Sequence, residues 1–431
     1  MRLSSVSIRD FRLVGHEPAR LDLAPCGNIS ILLADNGGGK STFLDAAAMM
    51  LGLFTSAFLR NSDKRPSQED IHISPEGIRS EALLIEAVFT MPDGRRIEAT
   101  RQSGGAAGSR MLRREASGLC SAADSPDQIL PVVAYYDVNR GMMRPARRRR
   151  MSPFSRRHAY SGALEPASDF PHFFNLLDYL DSEERRRSEA LDIDKFRLPA
   201  LEAVRSALRI VVGPSFSSPG VDERPLRLLL DEAIAEGNGR RLAFRQLSGG
   251  VRLLVAMTAD IAARMAQANP AMRNPLLSPG IILIDEVDLH LHPGWQRTVL
   301  RRLAEAFPNV QFVVSTHSPV VVAGAAGQAQ VVRLGKDGRP GPETTDAAML
   351  DIDRLLLSPL FGLPSASAAV WDAPMARRDE LLALPSLTPA EESELQEIDR
   401  LLSPLRQGLS GAELRTAMLL ERIATRLGID P

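Results

Sequence analysis

Residues Gly280–Pro293 read GIILIDEVDLHLHP, an apolar run that passes straight into two adjacent carboxylates, Asp285 and Glu286. The run has the length and the isoleucine content of a strand buried on both faces. Two acids delivered by such a strand suit the holding of Mg2+ and the activation of water on a nucleotide. Alone, the pair also fits a solvated strand end, so the rest of the chain decides.

The segment ADNGGGKST, Ala34–Thr42, follows the strand-like run Ile29–Leu33 and opens the apolar, helix-forming stretch Phe43–Phe54. That is the context a phosphate-binding loop requires. Asn36, Gly37, Gly38 and Gly39 can bring backbone N–H groups round phosphates, and the helix start adds its dipole. Lys40 supplies a point charge for the outer phosphates, the Ser41 hydroxyl a metal ligand, and Thr42 completes the motif. Ala34 stands where the pattern G-x-x-x-x-G-K-[ST] has its first glycine, which is tolerable if its φ stays negative.

Two further segments follow. LSGG, Leu247–Gly250, precedes an apolar helix, Val251–Ala268, and offers the Ser248 hydroxyl with the bare N–H groups of Gly249 and Gly250. This is a second anion-binding surface, or an ordinary helix cap. STHSP, Ser315–Pro319, closes the strand Val310–Val314 and places His317 at the same sheet edge as Glu286.

Phosphate loop, signature, acid pair and histidine in this order resemble the ATP-binding-cassette type of ATPase head, in the soluble branch that includes the SMC, Rad50 and RecF proteins. The resemblance is closer to small bacterial AAA-family ATPases loosely called ATP-binding proteins involved in virulence, related to the ATPases of the Septu anti-phage system and of retrons. VSIRDFR near the start, ADNGGGKSTFLDAAA, AYYDVNRG (Ala134–Gly141) and the blocks from LSGG through LIDEVDLHLHPGWQ to STHSP carry it. It is specific over the first 60 or so residues and over Phe244–Val322, and looser elsewhere.

The resemblance implies an α/β fold, an ABC-type P-loop NTPase head with a mixed sheet flanked by helices, a helical subdomain bearing the signature and a helical tail. It implies ATP and Mg2+ as cofactors, with Ser41, Asp285 and Gln68 around the metal, Glu286 as the base that orients water, and His317 as a sensor of the γ-phosphate. Two chains would pack head to tail in a homodimer, or a higher oligomer, with ATP between Lys40 of one and Ser248 of the other and Asp288 at the seam. Gln68 and Asp70, in PSQEDIHI, are assigned on order alone. His290 and His292 alternate and could face a metal, but the same DLHLHP run is ordinary in the resembling family, where it packs in the seam.

The chain has 431 residues, 44% hydrophobic, with a formal net charge of −1, enough to bury a large core. No stretch approaches a membrane span, and the start lacks a signal peptide's continuous apolar core. Cys26 and Cys120 suggest no disulfide framework, so the expected home is the cytoplasm.

Four regions are expected: an ATPase lobe over 1–142, a helical insertion with a basic run over 143–243, the signature and acid lobe over 244–345, and a helical region over 346–431. Ile71–Arg101 reads as a strand pair turned at Pro92–Gly94, Ser103–Asp127 as a surface loop, and Phe170–Leu208 as helix broken near Pro199. The span between Tyr136 and Leu247 has no sustained heptads, which excludes long coiled-coil arms. The tail reads as four helices, over 351–361, 376–384, 389–405 and 410–427, with cap-like TPAE and SGAE signals. The pair Asp351 and Asp353 has the spacing of one half of a Toprim metal site, but the upstream glutamate that would complete it is missing, so the pair is read as a helix cap or surface feature.

The run RPARRRR, Arg144–Arg150, continued by Arg156 and Arg157, could grip nucleic-acid phosphates, or be a solvated loop. Three function classes follow. One is an ATPase switch controlling a separate effector, a nuclease or similar, in anti-phage defence. Another is a RecF-like or Rad50-like repair ATPase that clamps DNA and is stimulated by it. The third is a non-hydrolytic ATP-gated scaffold, against which Lys40 and Glu286 stand.

Overall fold

The structure is a computed structural model. It describes all residues except 24–26, 60–61, 104–107, 139–154, 166–170, 192–195, 214–215, 224–225, 233–239, 342–351, 359, 362–371, 385–387 and 407–431. Two compact units emerge, Met1–Leu350 and Asp351–Pro431.

In the first unit the elements in chain order are β1 (Arg2–Arg9), β2 (Ala19–Asp22), β3 (Ile29–Leu33), α1 (Lys40–Thr55), β4 (Leu84–Thr90), β5 (Arg96–Gln102), α2 (Arg110–Ser121) and β6 (Val132–Tyr136). There follow α3 (Pro171–Leu191), α4 (Pro199–Val211), β7 (Phe216–Glu223), β8 (Leu226–Glu232), β9 (Arg240–Ala243) and α5 (Gly249–Ala268). The unit closes with β10 (Gly280–Ile284), α6 (Pro293–Gln296), α7 (Val299–Ala306), β11 (Val310–Thr316), α8 (Pro319–Gly324) and β12 (Ala329–Arg333).

Antiparallel and parallel strands are segregated. An antiparallel sheet runs β2-β1-β4-β5, and a parallel sheet runs β12-β3-β11-β10-β6. Strands β3, β6, β10 and β11 are buried at every residue, as continuous Val/Ile/Leu runs in a helix-covered parallel sheet should be. Side chains join the two sheets: the Gln311 amide accepts from Leu3 N and donates to Leu3 O, each at 2.8 Å, and Gln330 Nε2 donates to Asp22 O at 3.2 Å. The expected α/β architecture is therefore present, with the phosphate-loop strand β3 and the acid strand β10 on either side of β11.

α5 is buried along almost all of Leu253–Ala268 and packs against α3, α4 and β6. Such an all-round apolar helix belongs in a core rather than on a surface. Its hold on β6 is polar as well. The Tyr136 hydroxyl donates to Asp260 Oδ2 at 2.7 Å, Arg264 Nε donates to the same oxygen at 2.8 Å, and Arg264 Nη1 reaches Ala159 O.

Two stretches differ from the sequence reading. Within Ser103–Asp127, read as loop, α2 forms. Only Leu112 and Ala116 of that helix are buried, a stripe too narrow to register as helical periodicity. The insertion also carries a three-stranded antiparallel sheet, β7-β8-β9, beside the expected helices α3 and α4. Pro219 and Gly220 lie inside β7, where the register shifts, so the strand reads in sequence as a turn.

In the second unit the described residues form α9 (Ile352–Leu357), α10 (Asp372–Leu382) and α11 (Pro389–Arg406). The TPAE signal is a capping box. Thr388 N and Oγ1 donate to Glu391 Oε2 at 2.8 and 2.7 Å, and Glu391 N returns to Thr388 Oγ1. Arg377 pairs with Glu394 and Arg378 with Asp399 between α10 and α11. The fourth expected helix, at 410–427, and Asp351 lie outside the described residues.

Candidate active site

The loop after β3 is shaped by its glycines. Gly37 and Gly39 have φ of +81° and +86°, the left-handed region that favours glycine. A Cβ on Gly38 would come within 2.7 Å of the Ala34 Cβ, so the loop closes on itself there. Ala34 is not among the described residues of positive φ, which satisfies the condition for alanine at that place. Lys40 is buried at the start of α1, and its Nζ donates to Ala34 O at 2.9 Å and Asp35 O at 3.3 Å. Burial pushes the Lys40 amine down, against the pull of Asp285, Glu286, Asp35 and Asp288.

Three of these carboxylates, Asp285, Glu286 and Asp288, come from a distant part of the chain. Ser41 Oγ donates to Asp285 Oδ2 at 2.6 Å across a separation of 244 residues. Asp285 N donates to Tyr136 O at 2.8 Å, continuing the β6–β10 ladder one residue past the strand. Glu286 has a φ of +48°, and its N–H donates to Ser315 Oγ at 2.7 Å, while the same hydroxyl donates to Asp285 Oδ1. Thr316 Oγ1 donates to Asp288 Oδ1 and accepts from Ser318 N. The hard oxygens of Ser41 and Asp285 are the donor types Mg2+ takes, so the residues present fit that ion.

Around the start of α1 runs a charged belt. Arg12 bonds both Asp45 (2.6 Å) and Asp70 (2.8 Å), and Lys64 bonds Asp45 while lying 4.4 Å from the Tyr135 ring centroid. Burial would raise the Asp70 carboxyl; hydrogen bonds from Ser67 and Arg12 outweigh it and hold the group below its usual range. Asp70 thus ties the segment to Arg12. Gln68 is exposed on the single 3-10 turn Gln68–Asp70.

Ser248 caps the backbone of α5 and, with Gly249, is exposed. Gly250 is buried against the run after the acids. His317 is partly exposed between Thr316 and the cap of α8. His290 and His292 are exposed, and His292 Nδ1 accepts from Gly294 N to cap α6. Among the described residues no group of three or more His, Cys, Asp or Glu could hold a metal. The basic run Arg144–Arg150 lies outside the described residues. Arg156 is turned inward, donating to the carbonyls of Ala123, Ser125, Gln128 and Ala268, whereas Arg157 pairs at the surface with exposed Asp124.

Two family models cover this arrangement. One, described as "AAA domain", matches residues 5–205, and another, "AAA domain, putative AbiEii toxin, Type IV TA system", matches 139–323. Together the two matches run from residue 5 to residue 323, so the chain is similar to AAA-domain proteins over most of its first unit. Among its relatives, the Retron Vc95 probable ATPase of Vibrio cholerae serotype O1 biovar El Tor is 24% identical over 417 residues, 83% of this chain and 77% of that protein. The Retron Ec83 probable ATPase of Escherichia coli is 28% identical over 383 residues, 74% and 69% of the two chains. Septu protein PtuA of Bacillus mycoides (strain KBAB4) is 30% identical over 180 residues, 41% of this chain and 24% of that one. The sequence pattern gives a role to His317 in STHSP but none to Ser315 or Thr316. Their roles depend on which acids lie opposite, and no spacing within the motif reports that.

Proposed function

We propose that this protein is an ATP-hydrolysing switch. The observation that carries the reading is the Ser41–Asp285 hydrogen bond at 2.6 Å, which joins the phosphate loop to the acid strand. Lys40 and the N–H groups from Asn36 to Thr42 would hold the phosphates, Ser41 and Asp285 would hold Mg2+ with Gln68 near it, Glu286 would orient the attacking water, and His317 would contact the γ-phosphate. When bound, Mg2+ would neutralise charge developing on the phosphates.

The switch would work as a homodimer in which exposed Ser248 and Gly249 serve the nucleotide of the second copy. Asp288 would lie at that seam. The retron and Septu relatives support a place in bacterial anti-phage defence, in the cytoplasm, where the dimer controls a separate effector such as a nuclease. No helix among the described residues is long and apolar enough to cross a membrane, in keeping with that setting. The DNA-clamp alternative is weakened at Arg156, which is spent on backbone carbonyls of its own chain.

Equilibrium binding of a fluorescent ATP analogue with Mg2+, compared between the wild type and Lys40→Ala, tests the reading. Binding lost in the variant is expected. A folded wild-type chain that binds no nucleotide would sink it.

A further inference from the structure

We propose that Ser315 and Thr316 are positioning residues, a pair of hydroxyls at the end of β11 that fixes the geometry of the acid turn Asp285–Asp288. The proposal rests on the ATPase reading above and extends it to residues that reading leaves idle.

The parallel register pairs Ile284 with Val314, so the next residues along, Asp285 just past β10 and Ser315 still within β11, come face to face. Ser315 is fully buried. A serine hydroxyl carries one donor and two acceptor lone pairs. Here the donor goes to Asp285 Oδ1, and a lone pair receives Glu286 N–H at 2.7 Å. Ser315 O also accepts from Val287 N at 3.0 Å. Three consecutive residues of the turn are therefore held by one residue of the neighbouring strand.

The hold matters because Glu286 sits at φ +48°, a conformation that an L-residue with a long side chain rarely adopts unless its surroundings impose it. The Ser315 hydroxyl supplies that constraint at the N–H of Glu286 itself. It also orients the Asp285 carboxylate so that Oδ1 is occupied and Oδ2 faces Ser41. Alanine would keep the strand but leave both a carboxylate oxygen and an N–H without this partner.

Thr316 repeats the device one residue on. Its hydroxyl donates to Asp288 and accepts from Ser318 N, and Ser318 Oγ reaches Gln296 Oε1 at 2.7 Å. The backbone on which His317 stands is thereby tied to Asp288. A serine followed by a threonine, both ahead of His317, places the three groups in one fixed relation.

The test uses the full chain and its Ser315→Ala, Thr316→Val and Thr316→Ser variants. Mn2+ affinity in the presence of a non-hydrolysable ATP analogue is read by electron paramagnetic resonance, alongside Mg2+-dependent turnover and thermal unfolding. Loss of a group that orients a metal ligand weakens metal affinity or activity about 10- to 100-fold. We expect Ser315→Ala to weaken Mn2+ binding by that factor and to lower kcat at saturating Mg2+, with nucleotide binding in EDTA unchanged. Thr316→Val should lower kcat with Mn2+ affinity kept, and Thr316→Ser should restore it. Wild-type Mn2+ affinity and kcat in a folded Ser315→Ala chain would overturn the proposal while leaving the ATPase reading intact. A wild type that binds Mn2+ and nucleotide without turnover would instead remove hydrolysis, and the Mn2+ shift in Ser315→Ala would still decide the clamp. A wild type that binds neither would overturn both.

Discussion

The carbonyl oxygen of His290 occupies the space where a side chain on Gly250 would begin: a Cβ there would lie 2.1 Å from it. The start of α5 and the run that follows the acids are thus in backbone contact within one chain. Exposed Ser248 and Gly249 immediately precede this contact.

Replacing Gly250 with Ala should force the two apart. Overpacking of this kind typically costs about 1–3 kcal/mol, so we expect a lowered midpoint in urea with the fold retained. Hydrolysis should fall steeply while nucleotide affinity, which depends on the distant loop at Lys40, stays near wild type. A Gly250→Ala chain with unaltered stability would mean that His290 yields freely.

Glu286→Gln keeps the shape of the side chain and loses the base. It should bind ATP and turn it over at a small fraction of the wild-type rate, and mass measurement in solution should show a nucleotide-locked dimer. Normal turnover would take Glu286 out of the base role.

Ser248→Arg and Lys40→Ala are each expected to abolish hydrolysis, by different routes. If the signature serves the second copy's nucleotide, mixing the two variants regenerates one intact composite site per heterodimer. Part of the activity should return on mixing. Heterodimers that form without any recovered turnover would argue against the trans arrangement.

A buried ion pair joins α3 to α4: Arg205 grips both oxygens of Glu184, at 3.0 and 2.8 Å, and Leu198 N donates to the same carboxylate at 2.7 Å. Burial alone would raise this carboxyl, but the hydrogen bonds and charge of Arg205 and the Leu198 N–H hold it below the usual value. A depressed carboxyl stabilises the fold above its ordinary pKa and withdraws that support as pH falls through the lower, folded value. Glu184→Gln should therefore cost up to about 3–5 kcal/mol near neutrality, because buried Arg205 loses its close counter-charge and keeps only Glu202, at 3.6 Å. The loss should shrink at acid pH in denaturation curves taken across that range.

Much of the candidate site is legible in sequence because its signals are local. A loop with three glycines before Lys40, or two acids after GIILI, needs no knowledge of the rest of the chain. What escapes is pairwise. Nothing in STHSP reveals that Ser315 faces Asp285, and nothing in DFR reveals that Arg12 spans Asp45 and Asp70. Charge runs mislead for a related reason: Arg156 looks solvated beside Arg144–Arg150, yet carbonyls left open at the ends of neighbouring elements consume it. In the fold, continuous apolar strands are readable, whereas β7, with proline and glycine inside it, forms against local preference through pairing with β8.

The order of strands in the parallel sheet sets a timetable for the nascent chain. The phosphate-loop strand β3 leaves the ribosome early, yet both of its neighbours, β11 and β12, come near the end of the first unit, pairing with it from Phe312 onward. Hairpin partners β4 and β5 can zip within a few residues of each other, but β3 must wait with both edges bare, and non-local pairing of this sort is slow to form and prone to aggregation. A chain released before β11 is made has a phosphate loop in sequence and no platform to hold it. A head of the proposed kind would therefore be complete only once translation has nearly reached the end of the first unit, and prematurely terminated products would lack it.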